Sequence, residues 1–177
     1  MSPAVPTELP ATALLWQLRQ DGSHTDCWTT QLPIGVTQAQ YVEAFYTTPL
    51  FKAERLVLRL LARKPSTDQG ARDLAQGRCD AFAAWRVAQR RPDQILLTDQ
   101  TGRTSSWLMV VPDRGPSAGT GTRLFFGSAV TGRRNHTTGQ REFGLVFHAL
   151  LGFHKLYSRL LLQAAAARLL AGKVQRP

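Results

Sequence analysis

The sequence predicts an α+β domain: a curved antiparallel sheet packed by a long C-terminal helix, with two short helices after the first strand. Three observations carry this. Strand-like segments separated by turn residues run from Phe82 to Val130, helix-start signals fall at Thr37 and Pro49, and an apolar stripe of helical period spans Glu142 to about Ala171. The chain has 177 residues, 43% of them hydrophobic and 19% charged, which suits one globular core and argues against disorder. The expected organisation is an N-terminal arm over residues 1–22, a single domain over 23–172 and a tail over 173–177.

Pro3, Pro6 and Pro10 punctuate the first segment, so residues 1–11 are expected as a loose arm before Leu14, Leu15, Trp16 and Leu18 dock. His24 to Leu32, with Cys27, Trp28, Thr29 and Thr30, favours a strand. Thr37 and Gln40 form a capping-box pattern, and Tyr41, Val42, Phe45 and Tyr46 follow at one-face spacing. Thr48-Pro49 interrupts that helix and starts a second, expected to run to about Arg63 with Lys52, Arg55, Arg59 and Arg63 stacked on one face. From Pro65 to Arg78 no long element is expected. Strands follow over 82–90, 94–99, 104–111 and 122–130, with Gly102 supplying positive φ in the turn after Asp99.

The terminal segment is amphipathic. Advancing about 100° per residue, Phe143, Val146, Phe147, Leu150, Phe153, His154, Tyr157, Leu160, Leu161 and Ala164 fall within about 80° of one direction. His148, His154, Lys155, Arg159 and Gln163 interrupt any membrane-spanning reading. A sheet of this kind needs a cover, and this helix is long and apolar enough to supply one.

The element order, the stretch Ile95-Leu96-Leu97-Thr98-Asp99, the hairpin into Ser105-Ser106-Trp107-Leu108-Met109-Val110 and the closing helix of Phe143 to Leu170 resemble the START-like helix-grip (SRPBCC) superfamily, which includes polyketide cyclases and lipid carriers. The resemblance covers residues 24–170, and it implies a scaffold for an apolar ligand. It does not imply a reaction.

Chemistry-bearing residues are few. His148 and His154 stand six apart on one helix and diverge by about 120°, so they cannot clamp one ion, and His24 and His136 have no acidic or thiol partner at ligand spacing. No metal is expected. Cys27 and Cys79 fit neither a metal set nor a disulfide framework and read as reduced thiols. The Gly115–Gly121 loop joins strand to strand without a following Lys-Ser/Thr, so no phosphate cradle and no cofactor is expected. No Gly-x-Ser-x-Gly elbow occurs.

Three function classes follow. The first is a carrier or binder of an apolar small molecule or lipid, with Trp85, Trp107, Met109, His154 and Tyr157 lining a cavity between sheet and helix; core packing is the simpler reading for each of them. The second is weak contact with an anionic membrane or nucleic acid through Lys52, Arg55, Arg59 and Arg63, encouraged by a formal charge of +10, although the basic residues are otherwise scattered. The third, resting on the resemblance alone, is a cyclase- or hydratase-like enzyme with His154 as general base. The first residues lack a basic, apolar leader pattern, so a cytoplasmic location is expected.

Overall fold

The computed structural model describes residues 2–53, 66–113, 121–134, 141–142 and 145–174. Its centre is a seven-stranded antiparallel sheet of β1 (Val5–Pro6), β2 (His24–Leu32), β3 (Ala81–Phe82), β4 (Trp85–Arg91), β5 (Gln94–Asp99), β6 (Thr104–Asp113) and β7 (Gly121–Val130), in the order β1-β2-β7-β6-β5-β4-β3. After β2 the chain leaves the sheet and passes through α2 (Gln38–Tyr46), a helical stretch at 49–53 and α3 (Asp68–Ala75), with the short α1 (Trp16–Gln20) lying before β2. It re-enters at the far edge and meanders back until β7 docks on β2, pairing His24 with Val130 through to Leu32 with Thr122. A small pair, β8 (Arg133–Arg134) and β9 (Arg141–Glu142), precedes the terminal helix α4 (Leu145–Val174). This is the α+β plan expected, with α4 packed against α2, β2 and β7. No described helix is long and apolar enough to cross a membrane.

Local signals explain most boundaries. At the start of α2 the Gln40 amide donates to Thr37 Oγ1 (3.2 Å) while the Thr37 amide donates to Gln40 Oε1 (2.9 Å), completing the capping box. Gly102 turns the β5–β6 hairpin at φ 69°. The segment expected as one strand from Phe82 is two, because Ala83 adopts φ 53° and folds β3 onto β4. The second helix is seen over 49–53; its expected continuation to Arg63 lies outside the described residues.

Three departures matter. Helix α3 falls where no long element was expected; the Thr67 side chain caps it by accepting from the Gly70 amide at 3.0 Å, and its short apolar face of Ala71, Leu74 and Ala75 is buried. Residues 2–9 are no loose arm: Val5 and Pro6 pair with Thr29 and Trp28, the Thr7 amide donates to the Cys27 carbonyl at 3.0 Å, and Ala4 and Leu9 are buried. In the described half of α4, the buried stripe is Ser158, Leu161, Leu162, Ala165 and Ala166, whereas Leu160 stays 43% exposed. That stripe lies roughly 100° round the axis from the expected one, because the small Ala165 and Ala166 let the helix lie close to its neighbours.

The sheet separates two cores. Ile95, Leu97, Leu108, Val110, Leu124 and Phe126 face α2, α3 and α4, beneath a chain of packed rings in which Phe45 lies tilted against Phe126 at 4.8 Å and Tyr46 edge-on to Phe51 at 4.8 Å. On the opposite face Cys27, Leu96, Trp107, Met109, Phe125 and Ala129 are covered by Leu9, Ala13, Leu14 and Leu15.

Candidate functional site

At one end of the helix-covered face the alternation of the strands sets polar residues where apolar ones would be expected. Ser106 on β6 and Ser128 on β7 are in register, Ser128 is in register with Asp26 on β2, and Thr104 precedes them on β6. Period two carries Leu108 and Phe126 onto the same face one step along, so an apolar floor gives way to a hydroxyl-bearing one.

Over this floor the covering elements leave a cavity of about 590 Å³. Phe45, Leu50 and Phe51 form one wall, Trp85 another, and Tyr157, Ser158 and Leu161 of α4 a third. The volume falls within the range of small-molecule sites, about 300–1,000 Å³.

Hydrogen bonds account for part of the floor. The Ser128 hydroxyl and amide both donate to Asp26 Oδ1, the amide at 3.1 Å, while Trp28 Nε1 donates to Asp26 Oδ2 at 3.2 Å. The carboxylate thereby ties β2 to β7 and fixes the serine hydroxyl. Tyr46 and Ser106 exchange a buried hydroxyl contact at 3.4 Å. Two polar atoms are left over: Trp85 Nε1 and Ser158 Oγ are both buried, and neither has a hydrogen-bond partner among the described residues. Burying such a group unpaired costs roughly 1–3 kcal/mol, so each marks a place where the interior is not self-sufficient.

The five residues expected to line one cavity separate. Trp85 and Tyr157 come together at it. Trp107 and Met109 share a face, as strand alternation requires, but it is the opposite face, under the N-terminal segment. There the Trp107 indole donates to Gln94 Oε1 at 2.9 Å, so its polar atom is satisfied within the fold. His154 falls within α4, with its side chain outside the described part. Of the basic stripe, Lys52 is described and bonds Asp68 at 2.5 Å; Arg55, Arg59 and Arg63 lie outside the described residues. Ser106, Ser128, Phe45 and Ser158 were not anticipated as lining residues. Ser105-Ser106 within an otherwise apolar strand, and Ser158 amid leucines, were the available signals.

Both cysteines are free, and Cys27 is buried on the far side of the sheet from the cavity. Burial, then the neighbouring Asp26, pushes its thiol up to about 12, which keeps it protonated and unreactive. Among the described residues no three His, Cys, Asp or Glu side chains are grouped to hold a metal ion. No family model, curated protein or solved structure matches the chain.

Proposed function

We propose that the protein binds a small, largely apolar molecule in the cavity between the sheet and α4, as a carrier or sensor of that molecule. The observation that carries this reading is a cavity of about 590 Å³ with aromatic and aliphatic walls, formed by Phe45, Leu50, Phe51, Trp85, Tyr157 and Leu161 over a floor that bears Ser106 and Ser128.

The strand order lends the helix-grip reading support, since the first long strand lies beside the last, helices fill the crossover and a terminal helix packs over β2 and β7. The anionic-surface reading draws less support, because Lys52 is already engaged by Asp68. Native mass spectrometry of freshly purified protein, with titration of a fluorescent fatty-acyl probe, tests the proposal. A retained adduct or saturable probe binding that Phe126→Trp weakens by filling the cavity is expected. Binding of neither kind across a panel of lipids and aromatics would overturn it.

A further inference from the structure

We infer that the outer face of α4, around Leu156 and Leu160, rests on the surface of an anionic phospholipid bilayer. The surface is separate from the Lys52 stripe, and the inference does not depend on what fills the cavity. Among the described residues large apolar side chains stay exposed at four positions, Val5, Val111, Leu156 and Leu160, and the last two stand one turn apart on α4, 52% and 43% exposed. Measured round the helix from the buried Ser158, they lie at about 160° and 200°, opposite the stripe that packs on the protein. The exposed Ala167 continues their line at about 180°. Helix α4 therefore has one apolar side against the core and a second, narrower one against solvent, which its own fold leaves uncovered.

The charges on the helix point to its partner. From Leu145 to Val174 there is no Asp or Glu, whereas Lys155, Arg159, Arg168 and Lys173 are basic. Lys155 and Arg159 are exposed on one flank of the leucine pair and Arg168 on the other. Neither Lys155 nor Arg159 makes an ion pair or a side-chain hydrogen bond with another described residue. Long cationic side chains beside an apolar centre suit the bilayer interface, where the leucines enter the boundary between headgroups and acyl chains while the cations reach lipid phosphates. A second copy of the chain fits less well, because two such faces would oppose cation to cation with no carboxylate on the helix to receive them. Nucleic acid would engage the cations and leave the leucines against sugar and phosphate. Tyr157 and Leu161, on the same two turns, line the cavity, so the contact sets a cavity wall close to lipid.

Flotation of the full chain with vesicles tests this, comparing phosphatidylcholine alone with phosphatidylcholine and phosphatidylserine at about two to one. Saturable binding to the mixed vesicles is expected, about ten-fold or more tighter than to phosphatidylcholine alone and falling steeply as salt is raised. Leu156→Ser with Leu160→Ser, and separately Lys155→Gln with Arg159→Gln, should each weaken that binding by about ten-fold. All four side chains are exposed, so both variants should keep the wild-type urea midpoint, and the second pair still tests the face if the first folds poorly. No binding to the mixed vesicles at low salt, or binding that a folded variant leaves unchanged, would overturn the inference. So would leucine-dependent dimerisation in sedimentation velocity without lipid, which would make the face an interface between copies, or a DNA duplex bound as tightly as the vesicles. Binding of the fatty-acyl probe is read separately in solution, so failure of the cavity reading and failure of this one are distinguishable.

Discussion

Gly127 on β7 lies under Trp107, and its missing side chain is what permits the contact. A Cβ there would meet Trp107 Cε3 at 2.9 Å, Leu15 Cδ2 at 3.0 Å and the Asp26 carbonyl oxygen at 3.1 Å. One obstacle is backbone and another a fully buried indole pinned by Gln94, so little can give way. Gly127→Ala should therefore cost about 1–3 kcal/mol, read from urea denaturation; an unchanged midpoint would show that the outer core is looser than these distances. The same neighbourhood shows what single residues disclose in a sequence. That Trp107 and Met109 share a face follows from period two, but which face does not, because β6 is buried on both sides and its run of apolar residues carries no polar phase.

At the scale of elements, strands were read best. The limits of β2 and β5 coincide with those expected, since each is framed by turn residues and rich in β-branched or aliphatic side chains. Helix α3 was hidden by its composition: eight residues, a glycine in the first turn and an apolar face of just Ala71, Leu74 and Ala75 give little periodicity to detect. The N-terminal segment was misread for another reason. Prolines disfavour interior strands, yet an edge strand tolerates Pro6, and the covering leucines do their packing from irregular backbone and a short helix. This makes a paired prediction possible. Leu15→Ala, fully buried against the outer face, should cost about 2–5 kcal/mol, whereas Leu160→Ala on the supposedly greasy side of α4 should cost less than about 1 kcal/mol. Equal effects in chemical denaturation would contradict the packing described for both elements.

For the whole molecule, the buried ionisable groups set a limit on the alkaline side. Burial and Asp26 raise the Cys27 thiol from 9.0 to about 12, and burial raises the Tyr41 phenol, whose hydroxyl donates to the Phe125 carbonyl at 3.1 Å, well above its ordinary value of 10.0. Between the ordinary and raised values the unfolded chain has released protons that the native chain keeps, so the unfolded state binds fewer and stability falls as pH rises. Urea midpoints should be insensitive to these groups below about pH 8 and decline from about pH 9 upward, and Cys27→Ala should flatten part of the decline. A profile level to about pH 10.5 would mean that the two groups are more hydrated than their packing indicates. The overall plan was readable because strand turns, helix caps and the length and apolar content of the terminal helix agreed, although the stripe that helix buries is rotated from the expected one. The cavity was not, since its lining is assembled from β4, β6, β7, the 49–53 helical stretch and two helices, and no local pattern encodes where their separate faces fail to close.

The sheet begins and ends in strands of two residues, β1 and β3, and one of those at the first margin is a proline with no N–H to offer. Just inside the other margin, the ladder of β4 slips between Val87 and Gln89, and its arginines hold positive charge there, Arg86 exposed, Arg90 donating to the Leu74 carbonyl at 2.9 Å and Arg91 to the Thr12 carbonyl at 3.4 Å. A second molecule sliding alongside would meet a truncated template at one border and a bent, mutually repelling one at the other. Fibrillar growth by lateral strand addition is thus discouraged at both ends of the β-layer, independently of what the cavity holds.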